Sequence, residues 1–255
     1  MLGTISAVLL GIAKTGVPGI GMFGALLMIM AFPGHEMFAA GAVVPLLLVG
    51  DFTAVHYYRK DTKWPILGRL FAPLAAGLLA GTVLLCFMTN RDFRLSVGIL
   101  VTAILCFEIL RERMRWDRLA KSRFFGYLCG VLTGLTTMLG NAAGPVLTAY
   151  FASQKLSKTD FMGTNAVTCL LMNLSKLPLL LLVTVLKAGM GGNPADTQII
   201  TPTTFYLTLM FFPWLILGLI IGRKVFTFIP ERYFVPLVMS LNFAAAVQIL
   251  ISAFA

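Results

Sequence analysis

Four ionisable side chains lie inside long apolar stretches of the sequence, namely Lys14, Asp51, Glu108 and Lys176. A Lys or Asp at the centre of a membrane helix costs about 2.5–3.5 kcal/mol on insertion scales, so such residues are usually paired or functional. Glu108 precedes Arg111 by three residues and can pair with it along a helix or reach the membrane interface. Lys14, Lys176 and Asp51 therefore remain as candidates, with two ammonium groups that could hold an anion and a carboxylate that could carry a proton.

The candidate site extends to polar and helix-breaking neighbours of these residues. Asn173 and Lys176 are three residues apart and share one helical face. Glycine-rich stretches after Lys14 and around Asn141 break the apolar runs, and amides at half-helix N-termini would suit an anion. Two structural alternatives stay open: Asp51 and Lys176 could form an ion pair that touches no substrate, and the breaks could be kinks that only improve packing. The candidate proton-coupling residue is Asp51, and the candidate substrate-binding residues are Lys14, Thr15, Gly19, Gly21, Asn141, Gly144, Asn173 and Lys176.

The sequence contains no catalytic or metal-binding pattern. It lacks the GxSxG, HExxH and Walker-type motifs, and neither His35 nor His56 has a second ligand at metal spacing. The cysteines lie in apolar stretches without CxxC or metal spacing, at Cys86, Cys106, Cys129 and Cys169. We therefore expect a protein that is not an enzyme and that needs neither a cofactor nor a metal.

The elements that position these residues are membrane helices. The 255 residues are 58% apolar and 12% charged, whereas soluble domains carry about 25% charged residues. A span needs about 20 apolar residues, and lipid tolerates only helices or closed barrels. The net charge of +10 is explained by basic loops that orient a membrane protein, so we expect no nucleic-acid partner. The apolar segments are 2–33, 36–58, 65–89, 93–110, 124–153, 159–187, 202–228 and 232–254.

The first and fifth segments are interrupted by Gly and Pro and open two halves of similar layout. Gly24 matches Gly144 at an offset of 120, and Asp51 matches Asn173 at an offset of 122, so the latter two could converge across a pseudo-twofold axis. A longer pattern recurs at an offset of 141, with Gly77, Gly81, Phe87, Arg91 and Phe93 repeated as Gly218, Gly222, Phe228, Arg232 and Phe234. The repeated GxxxG glycines could pack a homodimer or helices within one chain.

Basic residues predict the orientation of the two halves. If all eight segments span the membrane, basic loop residues divide 11 to 7 between the two sides; if segments one and five are re-entrant hairpins, they divide 15 to 3. The sharper asymmetry favours hairpins, and three crossings per half invert the second half. We predict an all-α polytopic membrane protein with two inverted repeats, each one broken or re-entrant helix plus three transmembrane helices. Residues 1–110 form the first repeat, 111–123 a basic cytoplasmic linker and 124–255 the second repeat.

Several glycine-rich motifs resemble one family of membrane carriers. In the first half these motifs lie at residues 11–21 and 39–41. In the second half they lie at residues 130–134, 139–145, 161–165 and 173–176. In these stretches the chain resembles the sulfite exporter TauE/SafE family. The resemblance implies a multi-pass protein of the bacterial cytoplasmic (inner) membrane that exports small sulfur-containing or carboxylated organic anions, such as sulfite or sulfoacetate.

The function predicted from these observations is a secondary carrier for a small anion, working by alternating access and coupled to protons. Inverted repeats with broken helices place substrate near the membrane midplane, where the repeats can rock about it. The alternative is a passive anion channel, which the same residues could line. The expected partners are the small anionic substrate, membrane lipid and, through the GxxxG faces, a second copy of the chain.

Overall fold

The computed structural model describes residues 1–93, 95–96, 99, 122–191 and 194–254. Most of the fourth apolar segment, including Glu108, and the basic linker as far as residue 121 lie outside these described residues. The described chain is helical and contains no strand. Its α-helices are α1 (Leu2–Thr15), α2 (Gly21–Met30), α3 (Glu36–Tyr58), α4 (Trp64–Phe87), α5 (Arg123–Gly140), α6 (Gly144–Ser153), α7 (Lys158–Gly189), α8 (Pro194–Thr197), α9 (Pro202–Phe228) and α10 (Glu231–Phe254).

Four of these helices are long and apolar enough to cross a membrane: α3 with the turn that follows it, α4, α7 and α9. Their mean hydropathy lies between 1.9 and 2.2. Many large apolar side chains also point outward, such as Leu209 and Ile220 of α9, which are 70% and 54% exposed. Such faces are stable in lipid rather than in water, and the fold is that of an all-α, multi-pass membrane protein.

Both predicted helix breaks are present. The first apolar segment divides into α1 and α2 around a 3₁₀ turn at Pro18–Ile20. The second break follows Gly140, where Asn141 adopts the left-handed conformation with φ of 55°, and α6 then begins at Gly144 with Pro145 in its first turn. Asn tolerates this conformation better than most residues, and Pro suits a helix start. The breaks thus arise from the local chemistry of the sequence.

Each broken segment folds back on itself as a helical hairpin. In the first, the Ser6 hydroxyl donates a 2.7 Å hydrogen bond to the Gly24 carbonyl, and Gly21 lies against Ala13, so α1 and α2 are antiparallel. In the second, Gly126 near the start of α5 lies against the Tyr150 ring near the end of α6. The two ends of each hairpin therefore lie on the same side of the molecule.

The hairpins pack closely against helices of the other half of the chain. A Cβ on Gly218 of α9 would lie 2.2 Å from the Val8 carbonyl oxygen of α1. A Cβ on Gly77 of α4 would lie 2.1 Å from the Val131 carbonyl oxygen of α5. No side chain fits at either contact, so the GxxxG glycines pack helices within one chain. A homodimer would have to use another surface.

The helices α3 and α7 run antiparallel through the centre. The end of α3 at Tyr58 meets Gly163 near the start of α7, and at the other end Lys187 of α7 reaches the Met37 sulfur of α3 at 3.6 Å. Helix α7 is thus long enough to connect both ends of the molecule. Its middle carries Asn173, which faces Asp51 of α3.

The α-helices that follow the two breaks begin at Gly21 and Gly144, which lie 123 residues apart. The 3₁₀ turn at Pro18–Ile20 runs directly into α2, so this helix start does not fix one register between the two halves. The match of Gly24 with Gly144, at an offset of 120, stays a prediction.

Candidate functional site

A cavity of about 70 Å³ lies where the two hairpin turns approach α7. A buried water needs roughly 10–15 Å³ of such space, so the cavity can hold a few waters or a small anion. Its walls come from α1, α2, α3, α5, α6 and α7, with Leu10, Leu47 and Leu147 among the apolar residues. The polar side chains in its lining are Lys14, Thr137, Asn141, Asn165, Cys169 and Asn173.

Lys14 is the cation of this cavity. It lies in the last turn of α1, and its ammonium forms a 2.5 Å ion pair with Asp51, whose side chain is fully buried. Gly50 makes room for the lysine, since a Cβ at that position would lie 2.8 Å from Lys14 Cγ. The Asn173 amide donates a 2.6 Å hydrogen bond to the other oxygen of Asp51.

This arrangement excludes one of the structural alternatives predicted from the sequence. The prediction of an ion pair between Asp51 and Lys176 is wrong, because Asp51 pairs with Lys14. The Lys14 side chain keeps 12% of its surface exposed, and the residue lines the cavity. The Asp51 carboxylate is fully buried and is not among the residues that line the cavity.

Lys176 lies behind the cavity wall, and only 1% of it is exposed. Its ammonium donates a 2.5 Å hydrogen bond to the Thr137 carbonyl and a second, short one to the Asn141 side-chain oxygen. The Asn141 amide in turn donates to the Ala40 carbonyl at 3.2 Å. The lysine thus places a positive charge at the C-terminal end of α5, where helix carbonyls favour a cation, and it fixes the orientation of Asn141.

The N-terminal ends of α2 and α6 also reach the cavity. Gly21 and Gly144, the first residues of these helices, both line it. Two other predicted residues do not. The Thr15 hydroxyl donates to the Leu219 carbonyl of α9 at 2.7 Å, and Gly19 is packed against the Val238 carbonyl of α10. These two residues hold the first hairpin turn in place.

Of the predicted site residues, five therefore line the cavity and four surround it. The lining residues are Lys14, Gly21, Asn141, Gly144 and Asn173. The surrounding residues are Thr15, Gly19, Asp51 and Lys176.

Sequence reasoning missed several residues on the cavity face of α7. Asn165, Cys169 and Met172 line the cavity together with Asn173. Their spacing of three or four residues is that of one helical face, so the pattern could have been extended back from Asn173. The Asn165 amide nitrogen has no hydrogen-bond partner among the described residues, and the buried Asn173 side-chain oxygen has none either.

The chemistry that the site could supply is electrostatic stabilisation of a small anion. It combines amide side chains and helix N-termini with an ammonium group that the Asp51 carboxylate neutralises, so the cavity would become cationic only on protonation of that carboxylate. Within the described residues no group of three His, Cys, Asp or Glu side chains could hold a metal ion. The chemistry that these walls can perform is binding and release, with a buried carboxylate beside the cation.

The chain matches one protein family over almost its full length. The model of the family described as "Sulfite exporter TauE/SafE" matches residues 3–249. No curated protein and no solved structure matches the chain. The matched residues include both hairpins and every wall of the cavity.

Proposed function

The chain belongs to the sulfite exporter TauE/SafE family, and from that membership we propose that it exports a small organic or sulfur-containing anion as a secondary transporter. Sulfite and sulfoacetate are the candidate substrates. The observation that carries the proposal is the position of Lys14, whose side chain lines a small cavity between the N-terminal ends of α2 and α6. A single cation there can attract an anion that would otherwise be excluded from the membrane interior.

The anion would occupy the cavity beside Lys14. Asn165 can donate from its unpaired amide, and the N-terminal end of α6 at Gly144 adds partial positive charge, whereas the Gly21 amide already donates to the Pro18 carbonyl. Asn141 would act through its position, because Lys176 and Ala40 hold both ends of its side chain. The small volume favours an anion of a few non-hydrogen atoms.

Asp51 would couple anion binding to a proton. In the described state Lys14 is neutralised by the Asp51 carboxylate at 2.5 Å. Protonation of Asp51 would remove that competing charge and leave the ammonium to the anion. Because coupling between two ligands is reciprocal, a bound anion would also favour the protonated carboxyl group. The proton and the anion would thus bind together and leave together, so net export would be driven by the outward gradient of the anion itself.

The scaffold would be a pair of inverted repeats. The contact of Gly218 with Val8 has its counterpart in the contact of Gly77 with Val131. Gly218 follows Gly77 by 141 residues, and Val131 follows Val8 by 123 residues. The corresponding helices α3 and α7 are antiparallel, as inversion requires. Rocking of one repeat against the other would expose the cavity to the two sides alternately.

Two lysines of α7 support the same symmetry. Lys158 donates to the Phe226 and Ile229 carbonyls at the end of α9. Lys187 donates to the carbonyls of Leu85 and Met88 at the end of α4. These two residues precede Phe226 and Ile229 by 141 positions each. The two ends of α7 therefore cap equivalent helix ends on opposite sides of the molecule, where cations stabilise terminal carbonyls.

Cysteine labelling can test this topology in intact cells of a bacterial expression host. With the native cysteines replaced, Gly34→Cys and Gly191→Cys should react with a membrane-impermeant maleimide from outside, and Lys155→Cys only after lysis. This follows if the basic side is cytoplasmic, which would place the protein in the bacterial inner membrane. Reaction of Gly34→Cys and Gly191→Cys from opposite sides would contradict the inverted arrangement.

The transport proposal is tested in two steps. First, a thermal-shift screen of the purified protein against sulfite, sulfonates and carboxylates should identify an anion that raises the unfolding temperature. Second, proteoliposomes should accumulate that anion against its gradient when a proton gradient is imposed. Movement only down the anion gradient would support the channel alternative, and no response to any anion would contradict the proposal.

A further inference from the structure

A second groove lies on the outer surface of the bundle, between α3 and α9. Its volume is about 440 Å³, and it shares no lining residue with the anion cavity. Helix α3 contributes Thr53 and Tyr57, and the rest of its lining belongs to α9. The groove therefore lies at the boundary between the two halves of the chain, on the outer face of the bundle.

One end of the groove is cationic. The Arg223 guanidinium lies over the Tyr57 ring at 3.8 Å from its centroid, and Lys224 follows it in the lining. Neither residue has a carboxylate within ion-pair distance among the described residues. Stacking uses the face of the guanidinium and leaves its N–H edge for hydrogen bonds, a geometry that suits a phosphate.

The other end of the groove is apolar. Ile220 lies about one turn and Ile216 about two turns before the cationic pair on the same side of α9. Ile220 is 54% exposed and has no protein partner that covers it fully. The groove thus runs from a positive end into an apolar stretch along the helix axis, which matches a head group followed by an acyl chain.

The position of the groove along the helices also fits a lipid. Arg223 and Lys224 lie in the last turns of α9, near the end where Lys158 caps the helix and where Lys63 pairs with Asp160. Among the described residues, this end also carries Arg59, Lys60 and Lys155. Basic pockets at such a boundary attract anionic lipid head groups.

We propose that this groove binds an anionic phospholipid, with its phosphate on Arg223 and Lys224 and one acyl chain along Ile216 and Ile220. A free phosphate would use the cationic end alone, and the apolar continuation favours the lipid. The bound lipid would bridge α3 and α9. It would also contact Leu219, whose carbonyl accepts the Thr15 hydroxyl beside Lys14.

Native mass spectrometry of the purified full-length protein tests this site. With equal amounts of phosphatidylglycerol and phosphatidylcholine in detergent, the protein should retain phosphatidylglycerol preferentially. Arg223→Gln with Lys224→Gln should weaken retention about 30-fold, and either single change about fivefold. The charge-preserving Arg223→Lys with Lys224→Arg should retain the lipid, so the single and charge-preserving variants remain informative if the double glutamine variant does not fold.

Arg232→Gln is the matched control, since the Arg232 guanidinium also lies over a tyrosine ring, that of Tyr233 at 4.5 Å. It lies outside the groove, and its loss should leave lipid retention unchanged. Equal retention of phosphatidylcholine, or equal loss in Arg232→Gln, would overturn the proposal. Displacement of the lipid by millimolar inorganic phosphate would identify a site for free anions instead. These outcomes do not depend on transport, so they are distinguishable from failure of the proposed function.

Discussion

The Asn173 amide donates a 2.6 Å hydrogen bond to the buried Asp51 carboxylate, although 122 residues separate the two in the chain. The sequence pattern matched these two positions to each other, and they meet at the middle of α3 and α7. The contact joins two different residue types, a carboxylate and an amide, at positions that the sequence pattern matched. Only one of the two carries a charge, so only one lysine, Lys14, is drawn into an ion pair there.

Loss of Lys14 alone should destabilise the protein, because it leaves the buried Asp51 carboxylate without its counter-ion. Breaking a buried pair in this way costs about 3–5 kcal/mol, which corresponds to a fall of roughly 6–20 °C in unfolding temperature for a chain of this size. Lys14→Met should show this fall in a thermal unfolding measurement. The paired change Lys14→Met with Asp51→Asn should recover most of it, since no unpaired charge remains.

Anion affinity should depend on pH through Asp51. Because protonation of this carboxyl group frees the Lys14 ammonium, the wild-type protein should bind its anion more tightly as the pH falls. Asp51→Asn imitates the protonated form, so its affinity should be high and nearly independent of pH. Titration calorimetry at several pH values measures both. A pH dependence that persists unchanged in Asp51→Asn would mean that another group carries the proton.

Lys176 should affect binding through Asn141 rather than by contact. Removing a hydrogen bond from a charged donor costs about 1.5–3 kcal/mol of stability, and the part of this that is lost from anion binding through Asn141 should weaken binding in Lys176→Met by up to roughly 100-fold. Lys187 is the matched control, since it lies on the same helix, is 5% exposed and also donates to backbone carbonyls. Lys187→Met should lower stability and leave affinity as in wild type. Equal losses of affinity in both variants would contradict a positioning role.

Close packing of α4 on α5 predicts that alanine substitution at two glycines of α4 has different effects on stability. Gly77→Ala places a methyl group against the Val131 carbonyl and should cost about 1–3 kcal/mol of stability. At Gly68 a Cβ meets nothing within 4 Å, so Gly68→Ala should be neutral or stabilise the helix by up to about 1 kcal/mol. Thermal unfolding of both variants in the same detergent measures the difference. Similar stability for both would show that α4 and α5 can separate without penalty.

Features set by local chemistry could be predicted from the sequence. The apolar runs predicted the long described helices, and the Gly and Pro residues around Pro18 and Asn141 predicted both breaks. The meeting of Asp51 with Asn173 was predicted by the match between these two positions in the sequence. These predictions succeeded because each depends on composition or spacing within a short stretch, or on a match between two such stretches.

The partners of the buried charges could not be predicted in the same way. Lys14 reaches Asp51 only because the first hairpin brings the end of α1 to the middle of α3. Lys176 turns toward Thr137 and away from Asp51 because packing fixes the rotation of α7. Both outcomes depend on how helices far apart in the chain are placed, and spacing along one helix carries no information about that.

Anion transport by the variant with Lys14→Met and Asp51→Asn tests the central claim most directly. The paired change preserves the neutrality of the buried site, so the protein should fold and reconstitute into proteoliposomes as the wild type does. The wild type should accumulate the anion that stabilises it in the thermal-shift screen, whereas the variant should show only the uptake of empty liposomes. Uptake by the variant at the wild-type rate would contradict the assignment of the cavity beside Lys14 as the anion site.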